Sequence, residues 1–188
     1  MKRGIFVSGN IAKLMDWIKP IVIATVLIVL VRSFLVTPIV VDGASMKPTL
    51  ENGDRLIVKK IGDFERFDIV VFNTSIGTKY VKRIIGMPGD HIAYKNDELF
   101  INGILFEEPY LNSSKSQLEG ALPFTLDFSL EETLNISKIP DGFYFVIGDN
   151  RRNSNDSRNA EIGLVAEKEI IGTTDVRFYP FNDIELLK

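Results

Sequence analysis

Gly43-Ala44-Ser45-Met46-Lys47-Pro48-Thr49-Leu50 places a serine in a bend. Gly43 removes a Cβ beside it and Pro48 blocks regular helix, so the Ser45 hydroxyl can protrude. A hydroxyl becomes a good nucleophile only when a base takes its proton. The candidate base is Lys82, within Tyr80-Val81-Lys82-Arg83-Ile84-Ile85-Gly86-Met87-Pro88-Gly89-Asp90. Side chains alternate along a strand, so Tyr80, Lys82 and Ile84 share one face while Lys79, Val81, Arg83 and Ile85 share the other. An amine between Tyr and Ile is placed for desolvation. That lowers a lysine pKa from about 10.4 towards the range of about 7–8 that a general base needs. At the unperturbed value fewer than about one lysine in a thousand is neutral near pH 7, so burial is a requirement of such chemistry. Taken singly, Ser45 also fits an ordinary turn serine, and Lys82 a solvated strand lysine.

A third stretch, Gly148-Asp149-Asn150-Arg151-Arg152-Asn153-Ser154-Asn155-Asp156-Ser157-Arg158, follows the apolar run Phe143-Tyr144-Phe145-Val146-Ile147. Its density of hydrogen-bonding side chains fits a solvated loop. It equally fits a polar network that buttresses a site, with a hydroxyl to orient an amine and Asp/Arg pairs to fix the loop. The absence of cysteine removes disulfides, thiolate metal sites and a thiol nucleophile. With His91 the only histidine, a Ser-His-Asp hydrolase would have to use it, and multi-imidazole zinc sites are disfavoured. No cofactor and no metal are expected.

These residues need a scaffold. With 188 residues, 45% of them hydrophobic and 13 Phe, the chain can bury a core, with room for one small appended subdomain. Strand-like runs fall at 39–41, 55–60, 68–73, 79–85, 91–95, 98–101, 104–106, 143–147 and 170–179. They are rich in Val, Ile, Phe and Tyr and are divided by Gly, Pro, Asn and Asp. Asn102-Gly103 signals a tight hairpin, and Asn52-Gly53-Asp54, Pro88-Gly89-Asp90 and Asp141-Gly142 signal further turns. The expected fold is mainly β, an antiparallel sheet or partly closed barrel. Residues 110–139 are polar and weakly patterned. They are expected to be a small inserted subdomain off the core, with extra strands at 124–128 and 133–136.

The N-terminus is different. An uninterrupted apolar run covers 21–31, eleven residues or roughly 16 Å of helix against about 30 Å of hydrocarbon. Spanning therefore needs 15–36 as a whole, with Lys19 and Arg32 snorkelling to opposite interfaces and Trp17 in the interfacial belt. Residues 1–32 sum to +4, leaving −7 for 33–188. Basic residues before the run place 1–14 in the cytoplasm and 37–188 outside. A cleaved secretory signal has a similar start, but 32–37 offers no small-x-small cleavage site. The acidic body argues against a nucleic-acid partner.

Three motifs occur in one order: Ser-Met-x-Pro-Thr at 45–49, Lys-Arg-x-x-Gly-x-Pro-Gly-Asp at 82–90, and Gly-Asp-Asn-Arg-x-Asn-Ser-x-Asp-Ser-Arg at 148–158. Together with the apolar N-terminus they resemble the bacterial type I signal peptidases, in the short single-anchor form common in Gram-positive bacteria. The resemblance runs from the anchor to about residue 175 and is weakest in 110–139. It implies a membrane-bound endopeptidase that removes signal peptides from translocated preproteins at the outer face of the plasma membrane. Small residues at −3 and −1 would be held as an extended strand against a β edge. By the same resemblance Ser45 is the nucleophile and Lys82 the general base. Ser154 orients the lysine amine, Asp149, Asp156 and Arg158 are structural charges, and the Ser45 backbone N–H is an oxyanion donor. Two-anchor members carry a second serine where this chain has Gly43, which leaves the second oxyanion donor open. Arg152 stands where the family often has an acidic or small residue and is given no role. The eukaryotic branch uses histidine at the lysine position, and His91 lies outside the motifs. The expected partners are signal peptides and membrane lipid, and the expected state is a monomer.

Two other readings are kept. A self-cleaving repressor-type regulator shares such a dyad, but would carry an N-terminal DNA-binding domain. A catalytically inactive, membrane-anchored interaction module of the same fold would be expected to have lost Ser45 or Lys82.

Overall fold

The computed structural model describes residues 8–117 and 123–187. It opens with a long helix, α1 (Ser8–Phe34), which passes directly into β1 (Val36–Val40) and then β2 (Arg55–Lys59), β3 (Ile69–Asn73) and β4 (Lys79–Gly86). Next come β5 (Ile92–Lys95), β6 (Glu98–Ile101), β7 (Ile104–Phe106), α2 (Asn112–Ser116), β8 (Phe128–Ser129) and α3 (Leu130–Leu134). The chain ends with β9 (Phe143–Ile147), β10 (Val165–Ala166), β11 (Ile170–Tyr179) and β12 (Glu185–Leu186).

Two antiparallel sheets result. The larger runs β1-β2-β11-β3-β4-β9-β10, with β12 added to β11, and the smaller runs β7-β6-β5-β8. In the larger sheet β3 is buried along both faces, as a central strand must be. Ile69 joins Met46, Leu50 and Leu56 on one side, while its neighbour Val70 joins Phe72, Ile84, Tyr144 and Val146 on the other. A third cluster ties the sheets together: Ile85, Phe145 and Ile147 pack with Ile92, Tyr94, Leu99 and Ile101. At the β6–β7 hairpin Asn102 and Gly103 take positive φ (53° and 79°), as the Asn-Gly turn requires.

Three sequence expectations need correction. No barrel closes: β1 and β10 remain the two ends of an open strand order. The sheet bends instead, through register shifts in β11 and β4. At one such shift Gly172 permits a close approach, since a Cβ there would sit 1.9 Å from the Lys59 carbonyl oxygen. Residues 133–136 are not a strand, and of the strand expected at 124–128 only Phe128 is in one, at the start of β8. Ser129 caps α3 in a reciprocal capping box with Glu132, and Asn135 ends it in the left-handed region. Nor is 110–139 wholly off the core, because β8 pairs with β5, and Leu130 and Ile139 are buried in the shared cluster. Part of that insertion, 118–122, lies outside the described residues.

At the N-terminus, residues 1–7 of the expected cytoplasmic segment are also outside them. Trp17, Ile21, Val22, Ile23, Leu27 and Ile28 on α1 are exposed. Among the described residues no helix is long and apolar enough to cross a membrane.

Candidate active site

Ser45 sits in the connection between β1 and β2. That connection is fastened at its base by Val41 N–H to the Asp54 carbonyl (2.8 Å) and Gly53 N–H to the Val41 carbonyl (2.9 Å). Met46 and Leu50 are buried beneath it and act as apolar anchors. From above, Asn150 N–H donates to the Ser45 carbonyl (3.0 Å), and the Asn150 side-chain amide donates to the Ala44 carbonyl (3.0 Å). The Thr49 hydroxyl donates to Asp149. Gly148 makes this docking possible, since a Cβ there would lie 2.4 Å from the Ser45 carbonyl oxygen and 2.2 Å from Ser154 Oγ.

Lys82 arrives from β4. Its register sets it opposite Val70 of β3, with Tyr80 opposite Phe72, so the expected face parity holds. The residue is 3% exposed. Nζ donates to Ser45 Oγ at 2.6 Å and to the Val81 carbonyl at 3.0 Å, and it lies 5.0 Å from the centre of the Tyr80 ring. Burial brings its pKa down from 10.5 to about 8, with Asp156 and Asp149 opposing the shift and Arg158 adding to it. The desolvation expected from sequence therefore outweighs the nearby carboxylates.

The loop after β9 supplies the remaining groups. Asp149 is fully buried and holds Arg83 through two bonds, Nε to Oδ1 (2.9 Å) and Nη2 to Oδ2 (2.7 Å). Arg83 also stacks on Tyr110 (3.9 Å) and donates to the Phe67 carbonyl (2.8 Å). Burial works against its charge, yet the bonds and charge of Asp149 keep its pKa raised. Asp156 receives Arg158 through Nε and Nη2, both at 2.8 Å, and Gly148 N–H at 3.0 Å. Burial pushes its carboxyl up, but Arg158 outweighs that and holds it below the usual range. Ser154 Oγ is buried without a hydrogen-bond partner of good geometry. It lies near enough to Asp156 to help keep that carboxyl low, and against Gly148.

The six residues singled out in the sequence thus divide. Ser45 and Lys82 meet directly. Asp156 and Arg158 form a pair whose charges act on Lys82, and Asp149 also acts on Lys82 while bonding its neighbour on β4, Arg83. Ser154 is near this group, but its hydroxyl makes no hydrogen bond to Lys82. Sequence reading gave no role to Arg83, Thr49 and Asn150, although all three stood inside the quoted motifs. It also missed the buried bond between Arg151 and Glu108 (2.5 Å), which Tyr94 and Tyr110 complete. Glu108 stands in no motif, and only the fold reveals that pairing.

A cleft of about 370 Å³ runs over Ser45 and Lys82. It is lined by residues 39–46 and 78–82, together with Asn153 and Asn155. The register of β4 with β9 starts at Arg83, so on that side residues 79–82 have no strand partner among the described residues. Gly43 N–H is already given to Asn52 Oδ1 (2.9 Å), and Gly43 has φ +98°, a conformation that would strain a serine. His91 is remote from this chemistry, with its ring bonded to Glu131 at 2.9 Å. Among the described residues no group of His, Asp or Glu could hold a metal ion.

A bent antiparallel β domain thus brings a buried lysine within hydrogen-bond reach of a serine. The sequence model of the family described as "Signal peptidase, peptidase S26" matches residues 14–179. Signal peptidase I S of Bacillus subtilis (strain 168) is 49% identical over 186 residues, covering 94% of this chain and 97% of that protein. A signal peptidase I of Bacillus amyloliquefaciens is 49% identical over 180 residues, covering 93% and 92%. Among solved structures, a signal peptidase I from Enterococcus faecalis V583 superposes with a TM-score of 0.57 at 39% identity, over 60% of this chain and 97% of that one. This chain belongs to the signal peptidase I family.

Proposed function

We propose that the chain is a membrane-tethered serine endopeptidase that removes N-terminal signal peptides from exported preproteins, with Ser45 as nucleophile and Lys82 as general base. The observation that carries this reading is the 2.6 Å contact between Lys82 Nζ and Ser45 Oγ in a site where burial lowers the amine pKa to about 8. When Nζ is neutral its lone pair accepts the Ser45 proton as Oγ attacks the scissile carbonyl carbon. The resulting ammonium returns that proton to the leaving amine of the mature chain. Water, deprotonated by the same amine, then hydrolyses the acyl-enzyme and frees the signal peptide. Ser45 N–H serves the oxyanion. Gly43 N–H is engaged by Asn52, so it is not the second donor in this conformation.

The substrate's extended segment adds to the unpaired side of residues 79–82 and is walled by 39–45. The tether in this reading is the N-terminal segment that leads straight into β1. No described helix is by itself long and apolar enough to cross a membrane, and the support for a catalytic domain at the outer surface is the charge asymmetry of the sequence. The inactive-module alternative is disfavoured by the retained, bonded Ser45 and Lys82.

The pH profile tests the base. Only neutral Lys82 can act, so kcat/KM should rise with pH and level off above about 8. A flat profile between about pH 5 and 9 contradicts a lysine base whose pKa is about 8.

A further inference from the structure

Asn150 touches the serine-bearing connection twice. Its backbone N–H donates to the Ser45 carbonyl (3.0 Å), and its side-chain amide donates to the Ala44 carbonyl (3.0 Å). The two accepting oxygens belong to the two peptide units that flank the Ser45 Cα. One residue of the loop after β9 therefore fixes the backbone on both sides of the candidate nucleophile.

The side-chain bond acts beyond the atom it touches. The Ala44 carbonyl and the Ser45 N–H are the two ends of one planar peptide unit, so holding the oxygen sets the direction in which the N–H points. A donor on that oxygen also polarises the unit and strengthens its N–H as a donor. The Ser45 N–H gives no hydrogen bond to any described residue, whereas Gly43 N–H is taken by Asn52 Oδ1 and Lys47 N–H by the Ala44 carbonyl (3.2 Å). The Lys47 bond closes a turn within the connection itself and moves with it. Asn150 instead ties the peptide to the loop that also carries Asp149 and Asp156, and Gly148 leaves room for that approach.

We infer that Asn150 is a positioning residue for the oxyanion: through the Ala44 carbonyl its amide aims the Ser45 N–H at the oxygen that gains charge when Oγ attacks. The inference rests on the endopeptidase reading of Ser45 and Lys82 and extends it from the proton transfer to the oxyanion.

The test uses the full chain in detergent micelles, a quenched peptide spanning a signal-peptide cleavage site, and two inhibitors built on its acyl-side sequence. One ends in an aldehyde, to whose carbon Ser45 Oγ adds while the Oγ proton passes to Lys82 and the aldehyde oxygen becomes the oxyanion. The other ends in the corresponding primary alcohol, which binds without forming an oxyanion. Asn150→Ala should lower kcat by about ten- to a hundredfold and leave KM within about threefold of the wild-type value. The aldehyde should weaken by the same factor as kcat, and the alcohol hardly at all. The midpoint of the pH profile should stay in place in this variant, because Asn150 carries no charge. Asn150→Asp, of the same shape but with an acceptor facing the Ala44 oxygen, should lose at least as much of the aldehyde's advantage. The aldehyde-to-alcohol ratio is taken within one variant, so loss of folded enzyme cancels. A ratio that both substitutions leave at the wild-type value overturns the inference. So does equal weakening of both inhibitors with a displaced pH midpoint in Asn150→Ala, the mark of a collapsed site. Either result leaves the endopeptidase reading intact. If the wild type does not cut the peptide, that reading itself fails and the inference goes with it.

Discussion

The site of Lys82 disfavours its charge, and that leaves a mark on stability. Its pKa falls from 10.5 to about 8 on folding. Between those values the unfolded chain binds a proton that the folded chain does not, so this group makes stability rise with pH from about 8 to 10.5. Below about 8 the penalty is complete, on the order of 3 kcal/mol. Lys82→Met should therefore abolish processing yet raise the unfolding free energy at pH 7 by about 2–3 kcal/mol, with the gain shrinking towards pH 10. Denaturant unfolding at the two pH values checks this, and a variant no more stable than wild type at pH 7 contradicts it. The pair itself was legible in sequence, because strand parity placed Lys82 between Tyr80 and Ile84 and a bend placed Ser45 at a surface. Its contact distance was not, since it depends on how the β1–β2 connection docks on β4 and on the loop after β9.

At the level of elements, one buried ion pair joins the pieces of the site. Asp149, from the loop after β9, holds Arg83 of β4 and receives Thr49 from the serine-bearing connection. Both charges are fully buried. Asp149→Ala would leave Arg83 charged and unpaired, a change that costs about 3–5 kcal/mol in comparable sites. The expected outcome is a large loss in unfolding free energy together with a fall in kcat, because Lys82 is the next residue on β4. A near-neutral stability change contradicts the assignment. Strands such as 98–101, 104–106, 143–147 and 170–179 were readable from alternation and turn residues, and they match β6, β7, β9 and β11. α3 was misread as strand because its five residues are too few to show a helical period. Its capping box, Ser129 with Glu132, was nevertheless present in the sequence. The strands β10 and β12 have two residues each, too short for any pattern to announce.

Across the whole molecule, the charge split between 1–32 and the acidic remainder was legible, as was the mainly β architecture. Barrel closure was not, because alternation fixes which residues face inward but not whether the outer strands meet. Here bulges at Ile170/Gly172 and in β4 bend the sheet enough for residues 39–45 and 78–82 to wall one cleft while its ends stay apart. In the proposed function, Ser45, activated in this cleft, cuts preproteins at their signal-peptide junction. The most direct measurement incubates the purified full chain, and beside it the Ser45→Ala variant, with a secretory precursor and sequences the new N-terminus. The expected result is a single new N-terminus, preceded by small residues at −3 and −1, in the wild-type reaction and an intact precursor with the variant. Cleavage by folded Ser45→Ala, or no cleavage by the wild type, would contradict it.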